Sequence, residues 1–174
     1  IQGSAPRLDG LQVIWRQNPK VTGRGHYGHR LAFSPDGRHL FISSGDRQKM
    51  APAQDMSGNL GKIVRVELDG THEVIWTRGM RNPLGLKFDA QGRLWDLEHG
   101  PAGGDELNLI EQGKNYGWPL VSFGDHYDGR KIPRPSTRPD LALPAISWNP
   151  VIAPGDFIFC RCAAFPNWRG QALI

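Results

Sequence analysis

The segment LAFSPDGRHLF, Leu31 to Phe41, returns as LKFDAQGRLW, Leu86 to Trp95. Each copy reads Leu-x-Phe, a short turn ending Gly-Arg, then Leu and an aromatic residue. A strand-like run precedes each, LQVIWRQ from Leu11 and HEVIWTR from His72, and a third pass begins near PAISWNPVIAPGDFIF. The predicted unit is a strand, a loop and a strand–turn–strand hairpin, repeating at a period of roughly fifty to sixty residues. Short antiparallel strands at that spacing suit propeller blades better than a sandwich. The 22 glycines and 14 prolines, more than a fifth of 174 residues, agree with many strands and turns. Helical periodicity is nearly absent. Even GDELNLIEQGKNYG, from Gly104, is too closely bounded by glycine for more than a turn or short helix. The expectation is one all-β domain over residues 1–174, a partial, about three-blade propeller segment.

Charge and apolar content narrow the function classes. The net charge is +4, but lysines and arginines are scattered, with no basic run interleaved with aromatics. That argues against nucleic-acid binding. No apolar run approaches a membrane span, and no charged-then-apolar signal peptide opens the sequence. The two cysteines, Cys160 and Cys162, lack the C-x-x-C spacing, and on a strand their geometry disfavours a mutual disulfide.

Three stretches carry residues beyond what folding needs. In GHYGHRLAFSPDGRHLFISSGDR, from Gly25, the Pro-Asp-Gly turn closes a hairpin. His26 precedes its first strand and Asp46 follows its second, so hairpin closure makes them neighbours. A carboxylate beside an imidazole orients the ring, the usual arrangement of a general base. In MRNPLGLKF, Arg81 offers a planar donor fork and Asn82 a donor or acceptor beside it. DLEHGPAGGDELNLIEQGKNYGWP, from Asp96, supplies Glu98, Asp105, Glu106 and Glu111 among glycine-rich turns that bring backbone carbonyls inward. Calcium favours that mixture of ligands. His99 reads as a packing or loop residue, because calcium prefers oxygen.

Together with AQDMSGNLGKIVRVELDG, these motifs resemble the soluble pyrroloquinoline-quinone (PQQ) dependent aldose sugar dehydrogenases, the glucose/sorbosone dehydrogenase family. The match runs from about Gly25 to Pro119, with FPNWRG near the end agreeing, and covers roughly half of the family's propeller. The resemblance implies a six-bladed β-propeller with PQQ and calcium at the mouth of its channel. It implies that His26 takes the proton of the sugar's anomeric hydroxyl, oriented by Asp46. Arg81 and Asn82 are then cofactor contacts. The Gly100 and Pro101 carbonyls become ligands of the cofactor's calcium, and Glu106 and the Tyr116 carbonyl parts of a second calcium site. A periplasmic or secreted origin follows from the same resemblance.

Two other readings use the same residues. A calcium-dependent hydrolase opening lactones, acyl-homoserine lactones included, needs only a metal and the His26–Asp46 base. A non-catalytic propeller fragment needs neither. Three blades leave two open sheet edges, which a homodimer would cover.

Overall fold

The computed structural model describes residues 9–161 and 163–174. Among them are ten strands and three single-turn 3-10 segments. Strands β1 (Leu31–Phe33), β2 (His39–Ser44), β3 (Lys62–Glu67) and β4 (Val74–Arg78) form one antiparallel sheet in that order. Strands β5 (Pro83–Phe88), β6 (Leu94–Glu98), β7 (Asp105–Ile110) and β8 (Ile146–Trp148) form a second. A third sheet contains β9 (Ile158–Phe159) and β10 (Ala172–Leu173). The protein is therefore an all-β propeller segment, with two complete four-stranded sheets and a two-stranded third.

The repeated motif is the inner hairpin of each complete sheet. At the first turn Gly37 takes φ +69° and donates to the Ser34 carbonyl, while Asp36 accepts from the Ser34 hydroxyl. At the second, Gly92 takes φ +77° and the Asp89 carboxylate gathers the Gln91 and Arg93 amides and the Trp95 indole. In both turns glycine occupies the left-handed position that other residues reach only with strain.

Strand parity then decides what lies between the sheets. Phe41 and Ile63 of the first sheet meet Leu86, Leu94 and Ile110 of the second, with Met80 and Tyr116 between. Trp76 and Phe88 each form a T-shaped pair with Phe41, at 5.1 and 5.4 Å between centroids, a favoured aromatic geometry. On the opposite face of the second sheet, Leu97 and Leu107 pack against Phe157. The far face of the first sheet carries Leu40, Ile42, Val64 and Val66, with Trp15 against them.

Several expectations need correction. The VIW run after His72 is β4, which closes the first sheet instead of opening the next, because it pairs with β3. ISW is likewise β8, closing the second sheet, so the third begins at β9. The Leu11 run is not a strand. GDELNLI is not a turn or helix: Asp105–Ile110 is a six-residue strand paired on both sides. Its glycines bound a strand short enough to fit between them. Cys160 is disulfide-bonded, against the expectation from its spacing; Cys162 lies outside the described residues.

Lys62 at the start of β3 is fully buried and donates to the Pro52 and Leu60 carbonyls, clasping the β2–β3 loop. Burial lowers its amine to about 8. From about pH 8 to the ordinary 10.5 the unfolded chain holds a proton that folded Lys62 has released. Stability should therefore rise with pH across that window and be insensitive to Lys62 below it. Urea midpoints measured against pH should show this slope, and Lys62→Met should flatten it.

Candidate active site

Strands β2, β4 and β6 all finish at one end of the two complete sheets, as the Ser44–Lys62–Arg78 and Glu98–Glu106 pairings require. The chain after β7 runs back to that end alongside β4, through Gly113 N–H to Trp76 carbonyl and Tyr116 N–H to Arg78 carbonyl bonds. Residues distant in sequence thus share one rim. Close backbone contact joins its parts: Gly45 N–H donates to Gly28, and Asp46 N–H to Arg81. A Cβ on Gly45 would lie 2.2 Å from the His26 carbonyl oxygen, so only glycine fits.

His26 Nδ1 and Asp46 Oδ1 are 2.5 Å apart, forming the dyad inferred from the hairpin. Asp46 is completely buried and takes three further bonds, from the Gln48 and Met50 amides and the Trp118 indole. Burial pushes its carboxyl up, but the His26 and Trp118 bonds outweigh this and hold it below the usual carboxylate range. His26, Arg81, Trp118, Met50 and Tyr127 line a cavity of about 140 Å³. Arg81 is 5% exposed, and its guanidinium donates to the His99 carbonyl and, at 3.4 Å, to the Tyr127 hydroxyl. It stacks over the Trp118 ring at 5.2 Å, and its Nε has no partner. Among the described residues, no carboxylate forms an ion pair with it.

A second, smaller cavity of about 10 Å³ lies beside the first, with room for about one small ion or water. Gly100, Pro101, Glu106 and Tyr116 all line it, so the two calcium positions inferred separately open onto one space. Among the described residues no group of three His, Cys, Asp or Glu side chains is arranged to hold a metal. A cation here would depend on carbonyls with Glu106. Two other carboxylates of the stretch are committed to backbone. Asp105 accepts from the Gly100, Ile152 and Ala153 amides, and Glu98 from those of Arg81 and Asn82. Burial nevertheless raises Glu98 to about 7. Asp96, which sequence reasoning passed over, is fully buried on the same face with both oxygens unpartnered. Burial and then repulsion from Glu98 raise its carboxyl, and Glu106 rises for the same two reasons.

Asn82 lines neither cavity. Its side-chain oxygen accepts the Gly28 amide and so ties the His26 segment to β5. His99 is a packing residue, with its Nε2 2.8 Å from the Pro154 carbonyl oxygen.

A sequence profile described as Glucose / Sorbosone dehydrogenase matches residues 1–174. The chain belongs to that family. It is 34% identical over 184 residues to the aldose sugar dehydrogenase YliI of Escherichia coli, covering 97% of this chain and 49% of that protein. A crystal structure of a glucose dehydrogenase superposes with a TM-score of 0.86 at 36% identity, over 94% of this chain and 51% of the other. The PQQ-bound aldose sugar dehydrogenase of Streptomyces coelicolor matches 61% of this chain and 34% of its own, at 34% identity and a TM-score of 0.52. The chain spans about half the length of the relatives it matches.

Sequence reasoning missed Trp118, Tyr127 and Asp96. The NYGWP motif held the signal for Trp118; HYDG around Tyr127 resembles any polar turn. Asp105 is the brace of the rim, and Asp105→Asn should cost about 1–3 kcal/mol, since one of its backbone donors loses an acceptor. Glu111→Gln, at an exposed position, should leave the urea midpoint unchanged.

Proposed function

We propose that this chain carries the proton-accepting part of a PQQ- and calcium-dependent aldose dehydrogenase site. The observation that carries the reading is the shared cavity: His26, backed by the buried Asp46, and Arg81 line the same space. Arg81 supports an anionic cofactor in particular. A buried guanidinium bonded only to neutral oxygens retains charge that a carboxylate- or phenolate-bearing ligand would balance. Arg81 is the residue of this chain that would hold PQQ, with Asn82 fixing the His26 segment beside it, and Gly100, Pro101, Glu106 and Tyr116 are those that would hold calcium. When bound, PQQ supplies a two-electron acceptor for hydride from the sugar's C1.

Asp46 occupies Nδ1 of His26, which leaves Nε2 to take the proton of the anomeric hydroxyl. As that O–H bond breaks, the C1–O bond gains double-bond character and the C1 hydrogen leaves with its electron pair. The aldose loses two electrons and two hydrogens and becomes a lactone. The buried carboxylate fixes the ring and stabilises the imidazolium that forms. Reported relatives that act on sugars favour this reading, and the lactone-opening alternative draws no support from them.

With PQQ and calcium added, aldose-dependent reduction of an artificial dye should appear. His26→Ala should lower it by about 10²–10⁴-fold, and Asp46→Asn by less, with the fold kept by circular dichroism. An undiminished rate in His26→Ala would remove the base. Calcium should also raise the melting temperature of the cofactor-free chain, as a ligand of the folded state does. Glu106→Gln should reduce that rise; identical melting curves in calcium and in chelator would overturn the cation assignment.

A further inference from the structure

We infer that Trp118 is a positioning residue that locks the His26–Asp46 dyad to the second sheet's loops, an inference that rests on the dehydrogenase reading of the dyad. The bland alternative is a core tryptophan whose buried indole N–H needs any acceptor. Its surroundings point beyond that. The indole donates at 2.8 Å to Asp46 Oδ2, the oxygen not used by His26. Each carboxylate oxygen thus receives two donors, His26 and the Gln48 amide on Oδ1, Trp118 and the Met50 amide on Oδ2. Gln48 and Met50 belong to Asp46's own loop. Apart from His26, Trp118 is the donor that comes from elsewhere, 72 residues along the chain.

Trp118 is itself held firmly. Its amide donates to the Gly79 carbonyl, and its carbonyl accepts from Gln54. Gln54 also exchanges two hydrogen bonds with Asn115, at 2.7 and 3.0 Å. The ring packs with Ala53 and Ile132, carries the Arg81 guanidinium on its face, and lines both cavities. One rigid indole therefore sets the carboxylate's rotation, and with it the ring plane of His26, relative to Arg81 and the small cavity. Without the N–H, Asp46 Oδ2 keeps only the Met50 amide, and the carboxylate loses the donor that ties its rotation to the second sheet's loops.

The test replaces the donor while keeping the shape. Trp118→Phe leaves a ring beneath Arg81 without an N–H. A benzothiophene analogue of tryptophan at position 118 substitutes sulfur for that N–H at nearly constant volume, so it separates donor loss from misfolding. The first readout needs neither cofactor nor sugar: the ring ¹⁵N resonances of His26 in the full chain, assigned by their loss in His26→Gln. The native chain should show a single tautomer with the proton on Nδ1, and both replacements should mix the two tautomers. The second readout is turnover with PQQ, calcium and aldose. There kcat should fall about tenfold to a hundredfold with KM within about twofold, the size expected for one buried bond to a charged acceptor. Incorporation of 5-fluorotryptophan, which keeps the N–H, should restore both. If tautomers mix but no variant, native included, oxidises sugar, the positioning stands and the dehydrogenase reading falls. Unmoved ¹⁵N signals in both donor-free proteins would overturn the inference.

Discussion

Asp46 is a carboxylate with no exposed surface, and four hydrogen-bond donors converge on it. An ion removed from water at that depth is costly unless every lone pair is engaged. The requirement organises the rim. It draws the β2–β3 loop to positive φ at Arg47, Gln48 and Met50, near +60° at each. It also recruits an indole from the loop after β7. Strained backbone of this kind persists where surrounding contacts over-determine it, and here those contacts are the donors themselves. The dyad is thus a consequence of how a buried charge is satisfied, and His26 is the donor at the cavity whose ring can also take up a proton.

The face between the two complete sheets changes character along its length. Leu94 and Ile110 pair at the apolar end, Asp96 and Asn108 one step on, and Glu98 and Glu106 at the rim. Three carboxyls in succession on a buried face would repel one another if all were ionised. Burial raises all three, so each gives up its proton at a higher pH than an exposed carboxylate does. A divalent cation against Glu106 would relieve the same repulsion by another route, which is why the acidic end and the small cavity belong together.

The sequence made the parts legible where local rules suffice. Pro-Asp-Gly defines a turn from its own stereochemistry, and hairpin closure then carries His26 to Asp46 without any tertiary information. The repeat of Leu31–Phe41 at Leu86–Trp95 likewise identifies equivalent hairpins. What was not legible depends on pairing across distance. Val74–Arg78 looks the same whether it opens one blade or closes another, and only its register with Lys62–Arg65 decides. Asp105 reads as a metal ligand beside Glu106, yet opposite strand parity turns it to the Gly100, Ile152 and Ala153 amides. Trp118 is ordinary in NYGWP until the loop folds back along β4 and meets a carboxylate from the first sheet.

Arg81 joins these arrangements. Its backbone amide donates to Glu98, on the acidic side of the rim, while its guanidinium points to the His99 carbonyl and Tyr127 on the other. One residue thereby borders both cavities, the small one together with Glu98 and Glu106 and the larger one together with His26. Direct pairing of Arg81 with Glu98 would neutralise the guanidinium and leave it no charge to favour an anion. Because Glu98 is occupied by two backbone amides, the guanidinium's charge stays unspent beside His26. In the proposed reaction, negative charge on a bound acceptor and positive charge on the imidazole would meet Arg81 and Asp46 respectively, both already in place.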